Sequence, residues 1–109
     1  MEITTKTFDE ATIIEICGEL DGKTASSVQK QLGQVGTAGS KILLDMSGVS
    51  YLSSAGLRVL LMLYRQVAGA SGRMVLVGLS PEIRDTLSET GFLAYFATSE
   101  TCEAGLAAL

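Results

Sequence analysis

Short strand-like runs of apolar residues alternate with amphipathic helical segments along the whole chain. Two β-branched runs at residues 3–8 and 12–17 flank Asp9-Glu10, and this pattern predicts an antiparallel hairpin. A first helix and then three strand-then-helix units follow, so the order along the chain is β-β-α-β-α-β-α-β-α. Because each element has one apolar side to bury, the alternation predicts a single α/β domain over residues 1–109.

The first helix and the central strand are predicted between residues 18 and 48. A glycine-containing break at residues 18–22 precedes the helix. The residues that recur at helical spacing, and the glycines that end the segment, are Ala25, Val28, Leu32, Val35, Gly36 and Gly39. An apolar run at residues 42–46, interrupted by Asp45, then predicts a strand covered on both faces that stops at Ser47-Gly48.

The second helix is predicted to be the most hydrophobic. Ser53 and Ser54 precede its apolar series at residues 57–68, and Gly69 and Gly72 close it. A buried strand is predicted at residues 74–77.

The third helix carries start signals in Ser80-Pro81-Glu82, which supply an N-cap, a proline at the first helical position and an acidic first turn, and we expect it to run to about residue 91. A brief strand is predicted at residues 93–97. Ser99-Glu100 is expected to start a last helix, whose shared apolar face is formed by Cys102, Leu106 and Leu109.

Composition and charge exclude several classes of protein. Hydrophobic residues make up 47% of the chain and charged residues 18%, which argues against intrinsic disorder. The net charge of -4, without a local lysine or arginine cluster, disfavours binding to nucleic acid. No apolar run reaches the length of about 20 residues that a membrane span needs, and no leader pattern opens the chain. We therefore expect a cytoplasmic protein that is a monomer when free and binds no membrane.

The cysteines and the missing histidine limit the chemistry. Cys17 and Cys102 lie in different predicted elements without CxxC spacing, so we expect two buried, reduced thiols and no metal or cofactor. The chain has no histidine, the usual general base of a serine triad and the commonest zinc ligand. Ser53 or Ser54 could act as a nucleophile only with a carboxylate or a lysine as base, the lysines being Lys6, Lys23, Lys30 and Lys41. We expect a protein that is not an enzyme.

The segment Ser53-Ser54-Ala55-Gly56 is the first candidate site. A serine pair before an apolar helix is explained by N-capping alone. The second serine exceeds that need, and the small residues after it leave room for another protein to approach. A phosphate there would add about -1.5 to -2 charges at the positive end of a helix dipole. The fold could tolerate such a charge, whereas an interface built over it could not.

Asp45 offers an alternative interpretation, because an aspartate near the end of a central strand is similar to the acceptor of a two-component receiver domain. Receivers also need clustered acidic residues after their first strand to hold magnesium. Cys17-Gly18 supplies no such pair. The receiver hypothesis is therefore disfavoured.

Residues 45–58, D-M-S-G-V-S-Y-L-S-S-A-G-L-R, resemble the signature of STAS-domain anti-sigma factor antagonists. The segment G-E-L-D at residues 18–21 with Thr24-Ala25 resembles the family's first functional loop, and Leu79-Ser80-Pro81 resembles its third. The similarity covers essentially the whole chain. It implies a mixed sheet of about five strands with about four helices packed mainly on one face.

The resemblance also implies a function. In this family an anti-sigma factor serine kinase binds the unmodified antagonist and releases sigma factor, then phosphorylates and inactivates the antagonist, and a metal-dependent serine phosphatase resets it. The acceptor serine maps onto Ser54, whereas Ser53 stands where the best-known version carries aspartate and is itself phosphorylatable. The residues that the resemblance places at the partner interface are Asp21, Thr24, Ser53, Ser54, Gly56, Leu57, Arg58 and Ser80.

Two of these interface residues have a simpler explanation, since Asp21 can end a turn and Arg58 can lie in solvent. A second functional hypothesis also stays open. Related STAS domains occur in anion transporters and stress-sensing complexes, so the chain could be a scaffold subunit that is not switched by phosphorylation.

Overall fold

A computed structural model describes residues 2–32 and 39–109 of the chain. The positions predicted to end the first helix, Val35 and Gly36, lie outside these residues. The elements, in chain order, are β1 (Glu2–Phe8), β2 (Ala11–Leu20), α1 (Ala25–Leu32), β3 (Lys41–Leu52), α2 (Ser54–Gly69), β4 (Arg73–Val77), α3 (Pro81–Glu89), a 3-10 turn (Leu93–Tyr95), β5 (Ala97–Ser99) and α4 (Cys102–Ala108). The predicted order of strands and helices is confirmed.

The five strands form one mixed sheet in the order β1-β2-β3-β4-β5. β1 is antiparallel to β2, and the predicted hairpin is confirmed, with Phe8 opposite Ala11. Asp9 makes the turn at a φ of 53°, a left-handed conformation that aspartate tolerates better than most residues. The pairs β2–β3, β3–β4 and β4–β5 are parallel. The carboxyl ends of β2, β3 and β4 therefore point in the same direction.

Helices cover the two faces of the sheet unequally. On one face, residues of α1, α2 and α3 pack on inward-facing strand residues in a large cluster that includes Ile14, Leu44 and Leu76. On the other face, α4 covers a small cluster of Leu43, Val75 and Val77. The predicted packing of helices mainly on one face is confirmed. Cys102 and Leu106 of α4 and the C-cap residue Leu109 pack on this small cluster, as predicted.

β2 and β3 are longer than the sequence predicts. β3 does not stop at Ser47-Gly48, and β2 does not end at residue 17; the two strands stay paired until Leu20 lies opposite Leu52. The register shifts after Glu15 and again after Gly18, where φ is 119°. These irregularities explain why the alternation of apolar residues seemed to break at residues 18–22 and 47–48, since a bulge changes which face a side chain occupies.

The last part of the chain also departs from the prediction. Residues 93–95 form the 3-10 turn, and the edge strand β5 begins only at Ala97. The last helix begins at Cys102, and its N-cap is Thr101, whose hydroxyl oxygen accepts a hydrogen bond from the Ala104 N–H at 3.1 Å. Ser99-Glu100 therefore precedes the cap.

The exposure of the two cysteines corrects another expectation. Cys17 is exposed and Cys102 is half-buried, so neither thiol is fully buried, although both are free. Cys17 points to the opposite face of β2 from its buried neighbour Ile16, as the alternation of a strand requires. In residues 2–32 and 39–109, no helix is long and apolar enough to cross a membrane.

Candidate phosphorylation and partner-binding site

The start of α2 is attached to the end of β2. Leu20 and Leu52 are the last paired residues of β2 and β3, and both are buried. Immediately after β3, the Ser53 N–H donates a hydrogen bond to the Leu20 carbonyl oxygen at 3.0 Å. The chain can then turn into α2 beside the loop that follows β2. The loop after β2 and the loop after β3 therefore lie next to each other at the carboxyl ends of the parallel strands.

Ser53 and Ser54 have different environments although they are neighbours. Ser53 is half-buried and is the N-cap of α2, because its hydroxyl oxygen accepts a hydrogen bond from the Gly56 N–H at 3.2 Å. Ser54 is the first residue of the helix and is exposed. Its hydroxyl makes no hydrogen bond to the residues that the structure describes. The predicted N-capping by the serine pair is confirmed, and the capping residue is Ser53.

Asp21 and Thr24 hold the turn between β2 and α1. The Asp21 Oδ1 atom accepts hydrogen bonds from the N–H groups of Lys23 at 2.9 Å and Thr24 at 3.2 Å. In return, the Thr24 hydroxyl accepts from the Asp21 N–H at 3.0 Å and donates to the Glu19 carbonyl at 2.8 Å. Desolvation opposes the charge on Asp21, but the Lys23 and Thr24 N–H groups outweigh it and lower the pKa of its carboxyl group.

Gly56 packs against the fold. The residue is buried, and a Cβ atom built on it would overlap the Leu20 carbonyl oxygen and lie 2.8 Å from the Leu20 Cγ. The expectation that Gly56 leaves space for a partner is therefore wrong, because Leu20 of the same chain fills that space. The glycine is needed where α2 approaches the backbone of β2.

Leu57 and Arg58 lie on different sides of α2. Leu57 is 7% exposed and belongs to the large apolar cluster, so it presents little surface to a partner. Arg58 is exposed and follows Ser54 by four residues, one helical turn, so both residues lie on the same side of the helix. Of this pair, Arg58 is the residue that a partner could contact.

Ser80 lies at the third loop and caps α3. Its hydroxyl oxygen accepts a hydrogen bond from the Ile83 N–H at 3.2 Å, and Pro81 follows as the first helical residue, as predicted. The pairing of β3 with β4 ends at Asp45 opposite Val77. The third loop therefore begins well before the end of β3, and no hydrogen bond in the described part of the chain joins Ser80 to the Ser54 region.

Tyr51 is a surface residue that sequence reasoning missed. It is 53% exposed and lies opposite Glu19, which is also exposed, at the extended end of the β2–β3 pair. Val49 and Leu52, which are both buried, are three residues apart, so the two-residue alternation of a strand is broken here by the register shift and gives no sequence signal for the orientation of Tyr51. Tyr51 adds a large amphipathic side chain three residues before Ser54.

Asp45 does not occupy the place of a receiver acceptor. β3 continues to Leu52, so this aspartate lies in the middle of its strand. Its Oδ1 atom accepts hydrogen bonds from the Ser47 N–H at 3.0 Å and the Ser47 hydroxyl at 2.7 Å. Its Oδ2 atom lies 3.7 Å from the Cys102 Sγ, and burial, followed by the charge of Asp45, raises the pKa of that thiol. In residues 2–32 and 39–109, no group of three or more cysteine or acidic side chains is placed to hold a metal ion.

A match to a family model covers residues 2–105, and its description is STAS domain. This chain belongs to the STAS domain family. A protein of Bordetella bronchiseptica named "Putative anti-sigma factor antagonist BtrV" is 32% identical to this STAS domain over 109 residues, which cover 99% of this chain and 94% of the relative.

Solved structures with the same fold agree with this assignment. The crystal structure of an anti-sigma factor antagonist from Mycobacterium paratuberculosis has a TM-score of 0.87 and 25% identity, covering 98% of this STAS domain and 92% of that chain. The phosphorylated form of the Bacillus cell fate determinant SpoIIAA has a TM-score of 0.69 and 21% identity, with coverage of 94% and 96%. The second likeness shows the fold alone.

Proposed function

We propose that this STAS domain is an anti-sigma factor antagonist controlled by phosphorylation of Ser54. The unphosphorylated form binds an anti-sigma factor serine kinase and so releases sigma factor, and the phosphate on Ser54 ends that binding. The observation that carries the proposal is the exposed, unbonded hydroxyl of Ser54 beside the engaged, capping hydroxyl of Ser53. A kinase can modify Ser54 without removing a hydrogen bond that the fold uses.

The position of Ser54 explains how one phosphate can change binding while leaving the fold intact. The first turn of α2 has no acidic residue, and free N–H groups at a helix start favour an anion by about 0.3 to 1 kcal/mol. In a complex that covers this helix end, the same phosphate would lose its water, and burying an unpaired anion costs several kcal/mol. The difference between these two energies favours the free, phosphorylated protein.

The partner surface that we propose is narrower than the set expected from the sequence. It consists of the accessible side chains beside Ser54, namely Arg58, Tyr51 and Glu19. Asp21 and Thr24 shape the loop next to it through their mutual hydrogen bonds. Gly56 and Leu57 pack against the rest of the fold and lie outside this surface. Ser80 belongs to a separate loop.

Binding without catalysis agrees with the groups present at the site. The Ser53 hydroxyl accepts a hydrogen bond from a backbone N–H and has no side-chain base hydrogen-bonded to it in the described residues. Deprotonation of a serine needs such a base within hydrogen-bond reach. The names of the relatives support the antagonist function, since BtrV and the Mycobacterium protein are both described as anti-sigma factor antagonists. A metal-dependent serine phosphatase completes the proposed cycle in the cytoplasm.

Phosphorylation by a candidate anti-sigma factor kinase tests the proposal. The purified chain is incubated with the kinase and ATP, and intact mass and fragment masses locate the phosphate. We expect one phosphate on the wild type and on Ser53→Ala, and none on Ser54→Ala. Full modification of Ser54→Ala would place the acceptor elsewhere. Absence of modification by every kinase that binds the chain would favour the unswitched scaffold hypothesis.

Binding measurements on the same variants test the effect of the charge. Ser54→Ala should bind the kinase as the wild type does and stay bound when ATP is added. Ser54→Asp adds one negative charge and should weaken binding by about 1 to 3 kcal/mol, roughly 5- to 150-fold in Kd. Isothermal titration calorimetry without nucleotide gives these constants. Wild-type affinity in Ser54→Asp would contradict the proposed switch.

A further inference from the structure

The outer edge of β1 is an unpaired strand edge. β1 is the first strand of the sheet, and within the described residues 2–32 and 39–109 it pairs only with β2, over all seven residues from Glu2 to Phe8, without a bulge or a proline. Every second residue of this edge strand points its N–H and C=O groups away from β2. Long, regular edges of this kind can bind another strand, and proteins usually protect them with prolines, bulges or charges. The opposite edge, β5, has three residues.

The order of charges along β1 matches a second copy of the same strand. Glu2, Thr4 and Lys6 lie on one face of the strand, and all three are exposed. In a two-fold antiparallel pair centred on Thr4, Glu2 of each copy lies opposite Lys6 of the other copy. This arrangement forms two ion pairs between the two β1 strands.

The other two-fold registers are less favourable. A pair centred on Thr5 places Glu2 opposite Phe8 of the second copy, and a pair centred on Lys6 places the two lysines opposite each other, where like charges repel. The charges therefore select the register centred on Thr4.

Contacts inside one chain leave the required groups available. The Lys6 Nζ atom lies 2.8 Å from the Glu15 Oε1 atom, and the lysine side chain is still 60% exposed. An ammonium group has three donors, so Lys6 can bind Glu15 and Glu2 of the second copy together. Glu2 itself makes no ion pair with the part of the chain that the structure describes. On the other face of β1, Ile3 packs on the large apolar cluster and would lie opposite Thr5 of the second copy.

We propose that two copies of this protein associate through β1, in the antiparallel register centred on Thr4, and form one continuous sheet. The pairing joins five residues of each strand, so the interface is small and the dimer is weak and concentration-dependent. This inference does not depend on Ser54 or on any kinase. It replaces the expectation of a monomer at high protein concentration.

Charge reversal on β1 tests the register. Sedimentation velocity on untagged protein, from about 10 μM to about 1 mM, should show the wild type moving from monomer to dimer. Glu2→Lys places a lysine of one copy opposite a lysine of the other, and Lys6→Glu likewise places two glutamates opposite each other. Each variant alone should therefore associate roughly tenfold more weakly. Glu89→Lys and Lys30→Glu, exposed sites on α3 and α1, make the same charge changes away from the edge and should dimerise as the wild type does.

Mixing the two β1 variants separates pairing from a folding defect. In a mixed dimer of the Glu2→Lys and Lys6→Glu chains, position 2 of each chain still lies opposite position 6 of the other, so a lysine faces a glutamate at both ends. The mixture should therefore dimerise more tightly than either variant alone, and the double variant Glu2→Lys/Lys6→Glu, which also has opposite charges at both ends, should recover dimerisation. A wild type that stays monomeric over the whole range would overturn the proposal. Dimerisation that both single variants retain, or that neither the mixture nor the double variant recovers, would also overturn it, since the dimer would then use another surface or register.

Discussion

Substitution of Gly56 should lower the free energy of unfolding, although the sequence suggested an effect on partner binding. In Gly56→Ala, the new methyl group overlaps the Leu20 carbonyl oxygen, a backbone atom that cannot move as a side chain does. Overpacking of this kind costs about 1 to 3 kcal/mol. Separation of α2 from β2 would also weaken the hydrogen bond from the Ser53 N–H to Leu20, worth about 1 kcal/mol.

The helix propensity of alanine offsets part of this loss, by about 1 kcal/mol relative to glycine. The net destabilisation of Gly56→Ala is therefore about 2 kcal/mol, and Gly56→Val should lose more because its side chain is larger and branched. With an m-value of about 1 to 2 kcal/mol/M for a chain of this size, the urea midpoint should fall by about 1 to 2 M.

Gly69→Ala provides a matched control on the same helix. No atom lies within 4 Å of a Cβ built at Gly69, so this variant should keep or slightly raise the midpoint. Urea unfolding followed by circular dichroism measures all three variants. If Gly56→Ala unfolds at the same urea concentration as Gly69→Ala, the close approach of α2 to Leu20 does not limit stability, and the packing explanation is refuted.

Three other substitutions or modifications have simple readouts. Ser53→Ala should lower the free energy of unfolding in urea by about 1 kcal/mol, because the Gly56 N–H loses its acceptor, whereas Ser54→Ala should leave it almost unchanged. Equal losses would contradict the different environments of the two serines. The folded state lowers the pKa of Asp21, so its carboxylate contributes stability above its unfolded pKa of about 3.9, and that contribution disappears as the pH falls through the lower folded pKa. Asp21→Asn should therefore be less stable than the wild type at neutral pH, and the gap should close in acid, as thermal unfolding at several pH values would show; a gap independent of pH would disprove the linkage. Cys17 should react with Ellman's reagent faster than Cys102, because Cys17 is exposed while burial and Asp45 raise the pKa of Cys102; the rates in Cys17→Ser and Cys102→Ser would decide this.

Local signals in the sequence were sufficient for the order of elements and for the helix starts. Ser53 and Ser80 act as caps through hydrogen bonds to residues three positions later, so the signal and its effect lie in the same short segment. The hairpin turn at Asp9 is local in the same way.

Features that depend on two distant segments could not be predicted. The continuation of β3 to Leu52 depends on the bulged pairing with β2. The exposure of Cys17 depends on how much of each face of the sheet the helices cover. The sequence around Gly56 does not predict its contact with Leu20, because Leu20 is far away in the sequence and reaches Gly56 only through the fold. Single-sequence patterns record the preference of each segment, whereas these contacts are set by register.

The uneven covering of the sheet also divides the molecule into parts of different local stability. α4 has seven residues and rests on three buried strand residues, whereas the opposite face is held by α1, α2 and α3 together. A helix this short, resting on so few residues, can detach as a separate cooperative unit while the large cluster stays intact. Its amide hydrogens should then exchange with solvent well before those of β3, and the open form would expose Leu43, Val75 and Val77 in the middle of the sheet. Protection of the protein against proteolysis and aggregation therefore depends on whether α4 stays packed on the sheet.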